Sequence, residues 1–341
     1  MHIAGMGVVF NRGRGLDVLE KALEDGWVMP DSGYRVLPTT LIDKVALKEA
    51  RRADNLSKMA SLAAYDAFID SGISNSVKDN LGIILATAFG PHVTTFRFLD
   101  DILNFGDAGV SPTLFSHSVH NAAVSYIALN LGSRGPTLTM TEFAASFHQA
   151  LILAESWLTE KRCEYILVGC ADQTGEVMQY IVSQKLKVAA DGKIKPFNLA
   201  SDPECVPGEG SAFFLVTNNT QYHKYAKISG LDVVSKEDPE LLILDSDGMT
   251  GDERRYLKQA GKARLVSSYA PIFGSFLTLS GFSCLVAALS IKRQKLFAPP
   301  VCVNPHNLNL CKGTESEKVN RINCLRYDCN NRELLIRLEV N

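Results

Sequence analysis

Concentrated charge is missing from this sequence. It has 35 basic and 37 acidic residues, a formal charge of −2, and no run of lysine and arginine. That balance gives no electrostatic basis for gripping nucleic acid or an anionic membrane surface. Long apolar runs are missing too: Gly, Ser or charge breaks every stretch well short of the roughly 20 residues a membrane span needs. The opening MHIAGMGVVF has neither the basic region nor the small-residue cleavage site of a signal peptide, so a cytoplasmic protein is expected. The eight cysteines (Cys163, Cys170, Cys205, Cys284, Cys302, Cys311, Cys324 and Cys329) include no CxxC pair. Neither a disulfide framework nor a zinc site is therefore expected, and most should be small buried apolar residues. Asp100-Asp101 and Glu237-Asp238 lack partners at ligand spacing and read as solvated charge. Gly208-Glu209-Gly210 lacks the lysine and following helix of a phosphate loop, and Gly5-Met6-Gly7 is no dinucleotide fingerprint. No cofactor or metal is expected.

What the chain does have is core. With 341 residues, 46% apolar and 21% charged, it can bury a large interior. Strand and helix signals alternate. His2 to Phe10 reads as a strand, followed by an amphipathic segment from Leu16 to Glu24 closed by Gly26. From Asn55 to Ser71 the apolar residues Leu56, Met59, Ala60, Ala63, Ala64, Ala67 and Phe68 recur at helical spacing, with Gly72 at the stop. Leu81 to Thr87 is the short continuous apolar run of a strand buried on both faces. Pro136 then opens a βαβ unit: a strand over Thr137–Thr141, a helix from Ala145 to Glu160 and a strand over Tyr165–Gly169. The pattern returns as a strand over Arg264–Ser268, a turn over Gly274–Thr278 and a helix over Ser280–Lys292, which suggests a duplication. The Asn-rich loop from Asn304 to Lys318 reads as the most flexible stretch, and Leu334–Val340 as the last strand.

Several segments in order resemble the β-ketoacyl-acyl-carrier-protein synthases. They are Gly5-Met6-Gly7-Val8-Val9, Asp54 to Gly72, Ser111-Pro112 through Asn121, and Leu131-Gly132-Ser133-Arg134-Gly135-Pro136. Pro196-Phe197-Asn198 and Pro207-Gly208-Glu209-Gly210-Ser211-Ala212 match a further pair of family motifs, with Lys195 where the family has Arg. The resemblance implies an α/β thiolase-like fold: duplicated halves, here residues 1–220 and a shortened 221–341, in five αβαβα layers with mixed sheets. It also implies a dimer paired through Thr137, Leu138, Thr139, Met140 and Thr141.

Three groups that the family's chemistry needs are replaced. A condensing enzyme holds its acyl chain on a thiolate at a helix N-terminus. The family's T-A-C-x-S places that cysteine eight residues beyond the proline, which here is Ala144 within Glu142-Phe143-Ala144-Ala145-Ser146. The two family histidines stabilise an enolate. Their positions fall on Asp247, whose carboxylate would repel that charge, and on Ser275. The glycine-rich gating loop is replaced by Arg326-Tyr327-Asp328-Cys329-Asn330-Asn331. Together these imply a subunit that is no enzyme by itself. It is closest in style to chain-length factors of aryl-polyene and type II polyketide systems, and would pair with an active β-ketoacyl synthase. The acyl carrier protein would dock mainly on that partner. Thr113, Leu114, Phe115 and Phe143 would face the partner's acyl tunnel.

The rival expectations are a thiolase-fold acyltransferase or hydrolase with a relocated nucleophile, and a homodimeric acyl-binding scaffold. Ser146 with His148 could be imagined as nucleophile and base, but i, i+2 spacing on a helix points them to different faces. Glu142 reads as a helix cap, and His117 and His120 as polar residues near a subunit interface.

Overall fold

The computed structural model describes residues 1–232, 239–313 and 318–341. Ten strands carry the fold. They are β1 (His2–Phe10), β2 (Leu81–Ala86), β3 (Thr137–Met140), β4 (Tyr165–Asp172), β5 (Gly210–Thr217), β6 (Lys227–Leu231), β7 (Leu241–Leu244), β8 (Val266–Ser267), β9 (Arg321–Tyr327) and β10 (Glu333–Glu339). The first five lie in the order β3-β2-β4-β5-β1 and the second five in the order β8-β7-β9-β10-β6. Each run has two parallel pairs at one end and two antiparallel pairs at the other. The same 3-2-4-5-1 order therefore occurs twice, and one backbone pair, His2 with Lys227, links the two runs.

Between the sheets lie the helices Ser146–Thr159 and Ser280–Arg293. Ser280 to Ile291 is buried on every side, as a helix sandwiched between layers must be. The helix Asn55–Ser71 covers the outer face of the first sheet, capped by Asp54, which accepts from the Ser57 N–H at 2.8 Å. The Gly-Met-Gly opening has its reason in that packing. A β-carbon on Gly5 or Gly7 would sit 2.1 Å from the carbonyl oxygen of Ala67 or Ala63 on this helix. The second sheet's outer face is covered more sparsely, by Tyr256 and Ala260 of the short segment Glu253–Ala260 and by Phe197 and Leu199.

Most elements fall within one or two residues of the pattern read from sequence. Two differ more in extent: Tyr165–Gly169 runs three residues further, to Asp172, and of Arg264–Ser268 only Val266–Ser267 is strand. Its neighbour β7 is only four residues long, and its other flank meets the loop at Leu310 through a single bridge. The loop expected to be most flexible is held in its described part: Asn304 bonds Leu308 in both directions and Cys311 is buried. Residues 314–317 of it lie outside the described residues, as do Glu237 and Asp238. Six cysteines are buried, while Cys302 and Cys329 are exposed. No helix among the described residues is long and apolar enough to cross a membrane.

Candidate functional site at the strand ends

Parallel strands open a crevice beyond their carboxyl ends, where loops from neighbouring strands converge. Here Ala144 follows β3, Asp172 ends β4, Asp247 follows β7 and Ser275 follows β8. Ala144 is buried in a small apolar cluster with Ala88 and Leu277, against which Phe89 and Met249 pack. Asp247 and Ser275 meet directly, as the Ser275 hydroxyl donates to the Asp247 carbonyl at 2.6 Å. The fold thus brings together all three positions where the resemblance places replaced catalytic groups.

The hydroxyls there are committed to the backbone. Ser275 Oγ also accepts from the Val206 N–H at 2.9 Å, and its own N–H and carbonyl bond Val206 and Gly208. Ser146 Oγ accepts from the Glu142 N–H at 2.7 Å and faces the carbonyls of Phe143 and Thr87 at 2.8 and 3.1 Å. These contacts hold the turn in which Phe143 adopts φ 46°, a left-handed conformation unusual for a phenylalanine. His148 points away from Ser146, to Asp232 at 2.9 Å, and burial lowers its pKa. Asp172, which sequence reasoning passed over, ties both halves together. One of its oxygens accepts from Thr87 Oγ1 and the Ala88 N–H, the other from Thr278 Oγ1 and the Thr278 N–H.

Asp247 belongs to a buried ionic group. Its carboxylate accepts from the Met249 and Phe276 N–H groups, both at 3.1 Å, and lies 3.4 Å from the guanidinium of Arg326, which has no exposure to solvent. Asp245, bonded by the Ser283 hydroxyl, and Glu253, which accepts from the Gly248 N–H, complete it. Burial pushes Asp245 up to about 6 and Glu253 up to about 8, with Arg326 opposing. Burial pulls Arg326 down, yet the surrounding Asp247 and Asp245 hold it above its usual value, so it stays charged. Arg326 was assigned only as part of a replaced loop. An arginine between the apolar Leu325 and Tyr327, inside the strand Arg321–Tyr327, is the signal that marks it.

One expectation needs correction. The Glu142 side chain caps no helix: it pairs with Arg332 at 2.6 Å, across the mouth of the crevice. His117 is mostly buried, bonded to Tyr126 at 2.5 Å, at the border of a cleft. His120 is exposed and packs beside Gly90.

The residues expected at a subunit contact are mostly outward. β3 is an edge strand, bonded only to β2, with Thr137, Leu138 and Thr141 exposed and Thr139 and Met140 half-buried. Phe143 is 55% exposed, edge-on to Phe89 at 5.8 Å, and Phe115 is 59% exposed against Phe98 at 5.6 Å. Thr113 is exposed and Leu114 half-buried, and both border a cleft with Arg52, Arg97 and His117. Among the described residues no cluster of three or more His, Cys, Asp or Glu gathers in metal-binding geometry.

The family model of the β-ketoacyl synthase N-terminal domain matches residues 37–221. The chain belongs to the β-ketoacyl synthase family. It is 28% identical over 182 residues to the pikromycin polyketide synthase component PikAIII of Streptomyces venezuelae, half of this chain but only 11% of that much longer relative. Among solved structures it superposes on the ishigamide ketosynthase/chain length factor with a TM-score of 0.82 at 15% identity, covering all of this chain and 98% of that one. A β-ketoacyl synthase from Burkholderia phymatum gives 0.83 at 15% identity, with 100% and 99% covered. AntDE:AntF, a type II polyketide acyl-carrier protein in complex with its ketosynthase, gives 0.80 at 14%, again with 100% and 99% covered. At these identities the structures establish the shared ketosynthase fold.

Proposed function

We propose that this chain is a non-catalytic ketosynthase-like subunit that pairs with an active β-ketoacyl synthase and helps set the length of the acyl or polyene product. One observation carries the reading. The place where the fold gathers reactive groups holds a methyl side chain, an ion-paired carboxylate and a hydroxyl already committed to the backbone. Acyl transfer needs a nucleophile within reach of a base and a donor pair for the oxyanion. Ala144 itself packs among Ala88, Phe89, Met249 and Leu277, and the Ser146 and Ser275 hydroxyls nearby are bonded to backbone groups.

The likeness to the ishigamide ketosynthase/chain length factor supports the pairing, as does the exposed edge of β3 beside Phe115 and Phe143. Covering those apolar side chains would contribute about 2 kcal/mol each. Carrier-bound substrates would be handled chiefly by the partner.

Two measurements test this. Incubated with acyl- and malonyl-carrier thioesters, the chain alone should show no acyl adduct by intact mass and release no carbon dioxide. Co-expressed with a synthase from the same biosynthetic system, it should co-purify as a 1:1 complex. An adduct on any residue overturns the non-catalytic reading, and a monodisperse monomer indifferent to the synthase overturns the pairing.

A further inference from the structure

The non-catalytic reading leaves open whether the crevice is merely stripped of reactive groups or also closed. We infer that it is closed: the turn from Arg326 to Arg332 is an ionic plug that shuts this chain's own pocket against acyl ligands. The inference rests on that reading but concerns access rather than chemistry.

One turn grips Ala144 from both sides. At its inner end, Arg326 holds the Asp247 carboxylate, whose two oxygens accept from the Met249 and Phe276 N–H groups. The side chains of Met249 and of Leu277, the next residue after Phe276, pack with Ala144. At its outer end, Arg332 holds Glu142, two residues before Ala144. The turn is itself rigid. Asp328 accepts from the N–H groups of Asn330 and Arg332 and pairs with Arg332 at 3.1 Å, while its carbonyl accepts from Arg255 at 2.9 Å. The neighbouring space beside Phe89, Met249, Ser275, Phe276 and Leu277, which the turn itself does not line, is about 40 Å³, room for on the order of one or two water molecules. The inner pair also fixes itself in place. Removing either partner strands a charge in a site with no solvent exposure, so the loops cannot part cheaply. Putting back the three replaced groups would therefore leave the pocket shut.

The test reads access with a thiol reporter in the full chain, or in its complex if one is isolated. Ala144→Cys is treated with iodoacetamide and alkylation is followed peptide by peptide, with the exposed Cys302 and Cys329 as internal standards. In Ala144→Cys alone, the reporter should react at least roughly a hundredfold more slowly than those two. Adding Arg332→Gln, which releases a half-exposed ion pair, should raise its rate about two- to fivefold. Adding Asp247→Asn should raise it roughly a hundredfold or more. A reporter as reactive as Cys329, or one indifferent to both changes, overturns the plug. Should Asp247→Asn fail to fold, Arg332→Gln and the single reporter still decide. Failure of the proposed function would show separately, as acylation or turnover of the unmodified chain.

Discussion

Arg326→Met is the sharpest single perturbation of this fold. The guanidinium has no solvent exposure, and its removal leaves Asp247, equally buried, with no cation. Stranding a buried charge in this way costs about 3–5 kcal/mol. The cost should not add to that of the partner. In Arg326→Met with Asp247→Asn, both charges are gone and the asparagine can still accept from one of the two loop N–H groups. A coupling on the order of 2 kcal/mol is expected, the double variant being more stable than the two single losses sum to. The assay is urea unfolding followed by circular dichroism at one fixed protein concentration, since any association shifts the midpoint. A cost below about 1 kcal/mol for Arg326→Met, or additive losses, would refute the ionic account of this site.

Other outcomes follow from the same geometry. Glu253 is raised to about 8 when folded, so the folded chain binds a proton that the unfolded one releases near its ordinary 4.5. This contribution is complete below about pH 4.5 and is lost as pH rises through 8, with a limiting slope of about 1.4 kcal/mol per pH unit; Glu253→Gln, neutral throughout, should flatten the unfolding midpoint across that window, and an unchanged slope counts against the assignment. Phe115→Ala should lengthen the product of the complex by at least one extension unit if the ring is a floor for the growing chain, whereas an intact complex with unchanged product leaves it as interface filling. Leu138→Lys on the exposed edge of β3 should abolish the 1:1 complex in size-exclusion light scattering without lowering the melting temperature of the lone chain. Retained assembly would place the contact elsewhere.

Much of the fold was legible because it rests on local signals. The helix Asn55–Ser71 shows its period, its Asp54 cap and its Gly72 stop, and the buried strands are short uninterrupted apolar runs. Ala144 was found because Gly135-Pro136 fixes where the strand and turn begin. What stayed hidden depends on partners distant in sequence. Glu142 looks like a cap until Arg332, 190 residues on, claims its carboxylate. Asp172 is an ordinary residue at a strand end until Thr87 and Thr278 surround it. The twofold strand order was only suggested by the repeat of strand, turn and helix. Pairing order is a tertiary property, and the two halves share it without visible sequence likeness.

The bare edge of β3 bears on how such a chain must be produced. Thr-Leu-Thr-Met presents unpaired backbone with neither a lysine nor a proline to discourage another strand from joining it. Open edges of this kind recruit whatever extended chain is nearest, including copies of themselves. A molecule left without anything to cover this edge is then a seed for aggregates. Under the proposed pairing its useful abundance would be capped by the partner's supply, so matched synthesis of the two chains would matter more here than the folding of either one.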